Sequence, residues 1–464
     1  MRELVVLLFL LLSPAYSIDP PEIEWEVLYG YSFNCVRETS DGNLILTGWR
    51  QYNYPRTIFL YSTDGTKIWE SSVYPDNAVS RAVVETPDGG FVATGYGVPE
   101  AGSTHYSLSL YKVSAEGDAI WSKLYMLPDG VRGYGNNLTL LPDGGMAVCG
   151  RKDPPEGMDQ AWILRTDSQG DTLWTREWGD IYVDRAADIL YHDGGILAFM
   201  RGRKPGGNYG VFLVRYSLSG DFEWEASFPE WPGVYPDAQA MCEASDGGLL
   251  LMDNYWPEIF HTDYLGNPDW VTWPPGVDQP YGYSLSTTMD GGILYGGEIK
   301  GEPDSKSVCG VIARFDSNGN ELWSDFIYNS SCDAISSAIQ LSQGGYVAAG
   351  YAYSSGTGNQ GYIVKYAPEL GIEGPDPTTS LSLEVSPNPC SSSLSVSFNL
   401  PEAGNASIRI FDLSGRLVST VTDGEFPTGS NTVEWTVPEE IPSGCYFVQY
   451  NSDMGLCNES FMLI

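Results

Sequence analysis

Arg81-Ala82-Val83-Val84-Glu85-Thr86 runs into Asp88-Gly89-Gly90 and then Phe91-Val92-Ala93-Thr94-Gly95. After a loop come Tyr106 to Lys112, the turn Glu116-Gly117-Asp118, and Ala119-Ile120-Trp121. Short β-branched and aromatic runs bounded by Gly, Asn and Asp turns read as hairpins, so this stretch predicts four strands in series. The same order returns along the chain. Tryptophan recurs at Trp25, Trp69, Trp121, Trp174, Trp224, Trp270 and Trp323. Between them the turn recurs as Asp41-Gly42-Asn43, Asp88-Gly89-Gly90, Asp143-Gly144-Gly145, Asp193-Gly194-Gly195, Asp246-Gly247-Gly248, Asp290-Gly291-Gly292 and Gln343-Gly344-Gly345. A unit of about 50 residues cannot bury a core alone and must stack on its neighbours. Runs that are apolar on successive residues, such as Val211-Phe212-Leu213-Val214, suit a sheet covered on both faces. Four-stranded units repeated in this way make a β-propeller.

The two ends of the array complement each other. The last copy has Gly361-Tyr362-Ile363-Val364-Lys365-Tyr366 but no tryptophan strand after it, and Glu24-Trp25-Glu26-Val27-Leu28-Tyr29-Gly30 stands alone at the other end. The expectation is an all-β, seven-bladed propeller over residues 18–370, closed by the N-terminal strand. An open solenoid would explain the seven copies but not the matching halves. At these residues the chain resembles a bacterial propeller repeat of the DGGYIVAG…W type, most closely at Gly344-Gly345-Tyr346-Val347-Ala348-Ala349-Gly350. That resemblance implies an architecture and no single activity. The turn before each tryptophan also resembles the repeats of quinoprotein dehydrogenases, whose rings usually have eight blades, and no eighth copy is seen here.

Residues 1–17 read as a secretory signal peptide: Arg2, the apolar stretch Leu4 to Leu12, and the small-x-small site Ala15-Tyr16-Ser17. No segment has the length of a transmembrane helix. Residues 371–380 lie in a Gly, Pro, Glu and Thr-rich connector and read as a linker. Alternating strands follow in residues 381–464, at Leu381 to Val385, Leu394 to Phe398, Ala406 to Phe411, Thr432 to Val437 and Tyr446 to Tyr450, which suggests a small β-sandwich. Three motifs there resemble the C-terminal sorting domain of type IX secretion in Gram-negative bacteria. They are Ser386-Pro387-Asn388-Pro389, Ile408 to Val418 with Gly415-Arg416, and Ile441 to Val448 with Gly444 and Tyr446. The resemblance implies that the type IX machinery is a partner, and that the protein is exported and then cell-surface attached or released. Cys390 and Cys445 depart from the common pattern and are candidates for a disulfide. Spacing does not fix the pairing of the eight cysteines.

A formal charge of −36 argues against nucleic acid and anionic lipid surfaces, because phosphate binding needs clustered Lys and Arg. The Asp-Gly-Gly turns and the turns before tryptophan fall on one face, and every long, variable connection falls on the other, where binding groups are expected. Tyr52, Tyr54, Trp231, Tyr235, Trp256, Trp273, Tyr281 and Tyr283 lie in those connections and offer flat surface for sugars or peptide side chains. As ordinary packing between blades they would do nothing of the kind. Asp184, Asp237, Asp278 and Asp333 lead into inner strands and form a candidate acidic mouth, of the kind that holds calcium or serves glycoside chemistry. The plainer reading is a solvated acidic face. His105, His192 and His261 sit apart, and no nucleophile elbow, phosphate loop, metal pair or cofactor motif occurs. The sequence therefore points to a non-enzymatic binding or adhesion module for an extracellular polysaccharide or protein. Its rival is a secreted polysaccharide hydrolase or lyase with carboxylates at the mouth, and a structural spacer in a surface layer is a third reading.

Overall fold

The computed structural model describes residues 19–463 except 50–55, 74–78, 101–102, 104, 128–129, 180–183, 204–208, 229–236, 255–256, 275–279, 301–307, 329–331, 355–357, 370–382, 387–389, 391, 401–402, 413–416, 439–440, 442–443 and 453–454. The chain divides into two units at Glu369/Leu370. The signal peptide and linker expected from the sequence lie outside the described residues.

The first unit is built from four-stranded antiparallel meanders, which makes it a β-propeller fold. Sheet 1 comprises Ser32–Glu38, Leu44–Trp49, Arg56–Tyr61 and Lys67–Val73, and sheet 2 Val79–Glu85, Phe91–Gly97, Ser107–Val113 and Ala119–Tyr125. Sheet 3 comprises Arg132–Leu140, Met146–Asp153, Gln160–Thr166 and Thr172–Trp178, and sheet 4 Arg185–His192, Gly195–Arg203, Tyr209–Ser217 and Phe222–Phe228. Sheet 5 has the shorter strands Ala238–Glu243, Leu249–Asp253, Ile259–Thr262 and Pro268–Thr272. Sheet 6 comprises Tyr281–Thr287, Ile293–Lys300, Val308–Phe315 and Glu321–Ile327, and a single parallel pairing of Val308 with Cys332 joins it to the sheet that follows. Sheet 7 takes Cys332–Gln340, Tyr346–Ser354 and Gly358–Tyr366 from the end of the array, and the N-terminal strand Ile23–Tyr29 pairs antiparallel with Gly358–Tyr366.

The two sequence markers meet in space. In each of the marker turns a glycine takes a positive φ, as at Gly89, and the side chains of Asp41, Asp88, Asp143, Asp246 and Asp290 accept a backbone N–H, as Asp88 does from Gly90. Four outer tryptophans lie on a turn glycine of the next sheet: Trp69 on Gly117, Trp121 on Gly170, Trp174 on Gly220 and Trp270 on Gly319. Trp25 lies on Gly65 of sheet 1 and donates from Nε1 to the Thr63 carbonyl at 3.0 Å, as Trp69 does to Ala115 at 2.9 Å. Cores form between neighbouring sheets. Ile45 and Ile58 meet Val83 and Phe91, and Phe33 and Phe59 meet Val347 and Ile363.

Every innermost strand carries a β-bulge near its start, at Asn34, Arg81, Asn136, Ala187, Gln239, Tyr283 and Ser336. Opposite the residue before the bulge, five sheets place a glycine: Gly48, Gly95, Gly150, Gly297 and Gly350. A Cβ on Gly95, Gly150 or Gly350 would sit 1.8, 1.8 and 1.9 Å from the carbonyl oxygens of Val79, Tyr134 and Ala334. In these three sheets the backbone at the bulge leaves no room for a side chain, whereas sheets 4 and 5 carry the bulge opposite Met200 and Asp253. Innermost strands lie beside one another in order, and Cys332–Gln340 lies beside Ser32–Glu38.

The second unit has a three-stranded sheet, Leu383–Ser386, Ser393–Leu400 and Gly429–Thr436, and a four-stranded sheet of Leu417–Phe426, Gly404–Asp412, Gly444–Ser452 and Gly455–Leu463. The alternating positions Leu394, Val396, Phe398 and Leu400 face Ile408, Ile410, Val448 and Tyr450 in one core. Leu417–Phe426 and Gly455–Leu463 are strands that the sequence reading passed over, because Asp423-Gly424 and the polar Asn458-Glu459 break the alternation. Cys390 is a buried, free thiol, so the disulfide considered for it with Cys445 is absent.

Candidate functional site: an arginine- and tyrosine-lined mouth

A cavity of about 870 Å³ is lined by the innermost strands of all seven sheets. The bulges create its upper rim. A bulge places an extra residue out of the ladder and re-aims its side chain, and all seven bulge residues line the cavity. Because each innermost strand begins where a long connection ends, this rim belongs to the long-loop face. Trp49, Tyr96, Arg151, Asn254 and Tyr351 add a second tier from the second strands or the position just past them.

The bulges also free backbone groups, and side chains from the preceding sheet satisfy them. Asn34 Nδ2 donates to the Ser80 carbonyl at 2.7 Å, and Asn136 Nδ2 to the Ala186 carbonyl at 2.8 Å. Asp188 accepts from the Met241 N–H at 2.7 Å, and Ser284 Oγ from the Ala338 N–H at 2.9 Å. These bonds tie the lining together across sheets.

Sheets 2 to 4 supply the cations. Arg81 Nη1 donates to Asn136 Oδ1, and its guanidinium lies 5.7 Å from the Tyr96 ring centre. Arg151 lies over Tyr134 at 4.6 Å, a cation–π contact, within a cluster of Tyr96, Tyr106 and Tyr134. Arg151 and Arg185 share Asp159, with Nε to Oδ2 distances of 3.3 and 3.5 Å, and Arg201 pairs with Asp237 at 2.9 Å. Burial, with the charges of Arg151 and Arg185, holds Arg81 below the ordinary arginine value against the pull of Tyr96. Burial does the same to Arg185, aided by Arg151 and Arg201 and opposed by Asp237 and Asp159. The guanidinium groups are therefore close enough to repel one another.

Sheets 6, 7 and 1 supply aromatic surface. Tyr351 donates to Glu298 Oε2 at 3.3 Å, and burial pushes the Glu298 carboxyl up against hydrogen bonds from Tyr283 and Tyr351 that pull it down. Tyr283 and Trp49 complete this arc.

Of the aromatic residues singled out from sequence, Tyr283 lines the cavity, Trp273 is 58% exposed and donates from Nε1 to Glu258 at 3.0 Å, and Tyr281 opens the innermost strand of sheet 6. Tyr52, Tyr54, Trp231, Tyr235 and Trp256 lie outside the described residues. Among the acids, Asp237 lines the cavity and is paired with Arg201. Asp184 is buried and accepts the Arg203 N–H at 2.9 Å, Asp333 is buried, and Asp278 lies outside the described residues. Sequence reading missed the arginines. Among the described residues, no three His, Cys, Asp or Glu side chains gather to hold a metal ion. Among the described residues no helix is long and apolar enough to cross a membrane.

Residues 384–463 match the family model described as a secretion system C-terminal sorting domain. That segment is such a domain, and it marks the chain for export by type IX secretion. Gly444 and Tyr446 of its motifs begin the strand Gly444–Ser452, while Pro387, Asn388, Pro389, Gly415 and Arg416 lie outside the described residues. No curated protein matches the chain. Solved structures similar to it include YCF48 bound to D1 peptide, 11% identical over 76% of this chain and 98% of the other with a TM-score of 0.44. Another is the polysaccharide lyase Uly1, 11% identical over 72% and 90% with a TM-score of 0.45. A third is a protein of unknown function from Dyadobacter fermentans, 12% identical over 75% and 100% with a TM-score of 0.42.

Proposed function

We propose that this is an exported, non-enzymatic binding protein of the cell surface or extracellular space. Its closed seven-bladed ring takes an extracellular polysaccharide or protein on the long-loop face. The observation that carries this reading is the cavity opening on that face, with a bulged residue from every innermost strand turned into it. Closure is supported by interactions that recur at the join. Ser342 N donates to Glu38 at 2.6 Å, as Ser40 N donates to Glu85 at 2.7 Å, and Trp25 meets Gly65 as Trp69 meets Gly117. Binding is favoured over glycoside chemistry because Asp184 and Asp333 are buried and Asp237 is spent on Arg201. Trp273, Tyr281 and Tyr283 are assigned to the binding face, and Tyr52, Tyr54, Trp231, Tyr235 and Trp256 are assigned to it from the sequence alone.

The test is binding of the full chain to an array of polysaccharides and glycoproteins, with calcium and with chelator. A hit that weakens in the Trp273→Ala, Tyr283→Ala double variant supports the long-loop face. Undiminished affinity in that variant rejects the face. Shortened saccharide products would move the reading to a hydrolase or lyase.

A further inference from the structure

We propose that the mouth binds the carboxylate of an acidic saccharide, a sugar of the uronic-acid type, through Arg81, Arg151, Arg185 and Arg201. This rests on the binding reading above and adds the chemistry of the ligand.

The chain has 24 Lys and Arg against 60 Asp and Glu, yet Arg81, Arg151 and Arg185 line one cavity and Arg201 joins them through its ion pair with the lining residue Asp237. Arg37, Arg81, Arg151 and Arg185 line the cavity with Asp188, Asp237 and Glu243, and Arg201 and Asp159 pair with members of that set, so five positive groups face four negative ones and one positive charge remains in excess. Guanidinium groups stay protonated in proteins, so this excess persists at working pH. Crowding and partly burying like charges costs stability, and structure does not require it here, since other sheets form the same rim with Asn34, Gln239 and Ser336. Clusters of this kind mark functional sites when they line a cleft. The Nε atoms of Arg151, Arg185 and Arg201 are buried and make no hydrogen bond among the described residues, although the first two face Asp159 as ion pairs. An arriving carboxylate would offset the repulsion and meet donor forks that match its two oxygens.

A second observation selects a sugar. Asn254 lines the cavity, and its Oδ1 is buried with no hydrogen-bond partner among the described residues. Its backbone N–H is held by the Asp237 carbonyl at 2.8 Å, beside the Arg201 pair. A buried acceptor left unpaired costs free energy, and a ligand hydroxyl supplies the missing donor. Across the cavity, Trp49, Tyr283 and Tyr351 offer rings with apolar faces and polar edges, suited to the C–H face of a sugar. Carboxylate, hydroxyl and apolar ring face together describe a uronic acid. The volume of about 870 Å³ accommodates a short oligosaccharide or a chain end. Arginine clusters also take acidic peptides; the aromatic faces opposite and the unpaired Asn254 acceptor favour a sugar, and the tri-glutamate peptide below separates the two.

The experiment is calorimetric titration of the full chain with short oligomers of galacturonate, glucuronate and mannuronate. A neutral galactose trisaccharide, a sulfated disaccharide and a tri-glutamate peptide serve as comparisons. At least one uronate binds, at least about ten-fold tighter than the neutral sugar, as expected for a charge-assisted fork. Arg151→Gln and Arg185→Gln each weaken it by about ten-fold or more, Arg185→Lys falls between, and Asn254→Ala weakens it several-fold. Melting curves identify any variant that fails to fold, and Arg185→Lys keeps the test open in that case. Equal affinity for the neutral sugar, tighter binding of the sulfated sugar or the peptide, or indifference to the arginine variants overturns the proposal. So does silence with all three uronates. If the polysaccharide array still gives a hit sensitive to Trp273 and Tyr283, the long-loop reading survives alone. If the array is silent as well, both fall.

Discussion

Asp188 sits 7% exposed in the channel wall and accepts the Ile189 N–H, the Met241 N–H and Asn137 Nδ2, so one carboxylate joins sheets 3, 4 and 5. Burial pushes its carboxyl up, against those three donors. In Asp188→Asn one oxygen becomes an NH2 group facing a donor, which should cost about 1–3 kcal/mol, read by denaturant unfolding at pH 7. The sign of the pH effect follows from the upward shift. The folded state holds the proton more tightly than the unfolded chain, so this contribution is full below the ordinary carboxyl value and fades as pH rises through the raised one. The stability gap between wild type and Asp188→Asn should therefore be widest in acid and narrow on the way to neutrality. A gap independent of pH would show that Asp188 titrates normally. The same scale explains why the arginines were illegible in the sequence. Arg81 and Arg185 come from innermost strands and Arg151 and Arg201 from second strands, in three different copies of the repeat, at positions the repeat motif does not mark. The overall charge of −36 also pointed the other way.

Tight turns, tryptophans and strand order were legible because they repeat, and repetition is visible without coordinates. The bulge was not. It is a backbone event in which one residue drops out of register, and its occupants Asn34, Arg81, Ala187 and Tyr283 share no chemistry. Its one trace was the glycine that ends the apolar run in five of the seven copies. Gly350→Ala should destabilise the ring by about 1–3 kcal/mol or more, since the new Cβ meets backbone that cannot turn aside. Gly424→Ala in the second unit, where nothing lies within 4 Å, is the matched control and should leave thermal unfolding of the ring unchanged. The N-terminal strand carries a further expectation. Removing residues 19–30 strips sheet 7 of its fourth strand and uncovers the edge of Gly358–Tyr366. An unpaired edge promotes association, so light scattering should report oligomers and the ring should melt lower. A monomer of unchanged melting temperature would argue that the strand closes nothing.

At the scale of the whole molecule, the sorting domain that marks the chain for export lies in the second unit, and the recognition proposed above lies in the first. Deleting residues 384–463 should abolish surface or extracellular recovery, read by fractionation of the producing cells. If the ring folds without the second unit, its ligand affinity should be unaffected. Recognition must work against the net charge. A formal charge of −36 repels an acidic saccharide at long range, while the arginines of the mouth attract it only nearby. The Debye length is about 30 Å at 0.01 M salt and about 8 Å at 0.15 M. At low salt the approaching ligand feels the acidic exterior first; at physiological salt that field is screened before the short-range guanidinium contacts are. The association rate for an oligouronate should accordingly rise between 0.01 and 0.15 M salt, the reverse of the fall seen when steering is attractive. The dissociation rate should rise only modestly, because partly buried charges are screened less. Stopped-flow binding across that range checks both. An association rate that falls with salt would mean that the cationic mouth dominates the far field and that the acidic exterior lies away from the path of entry.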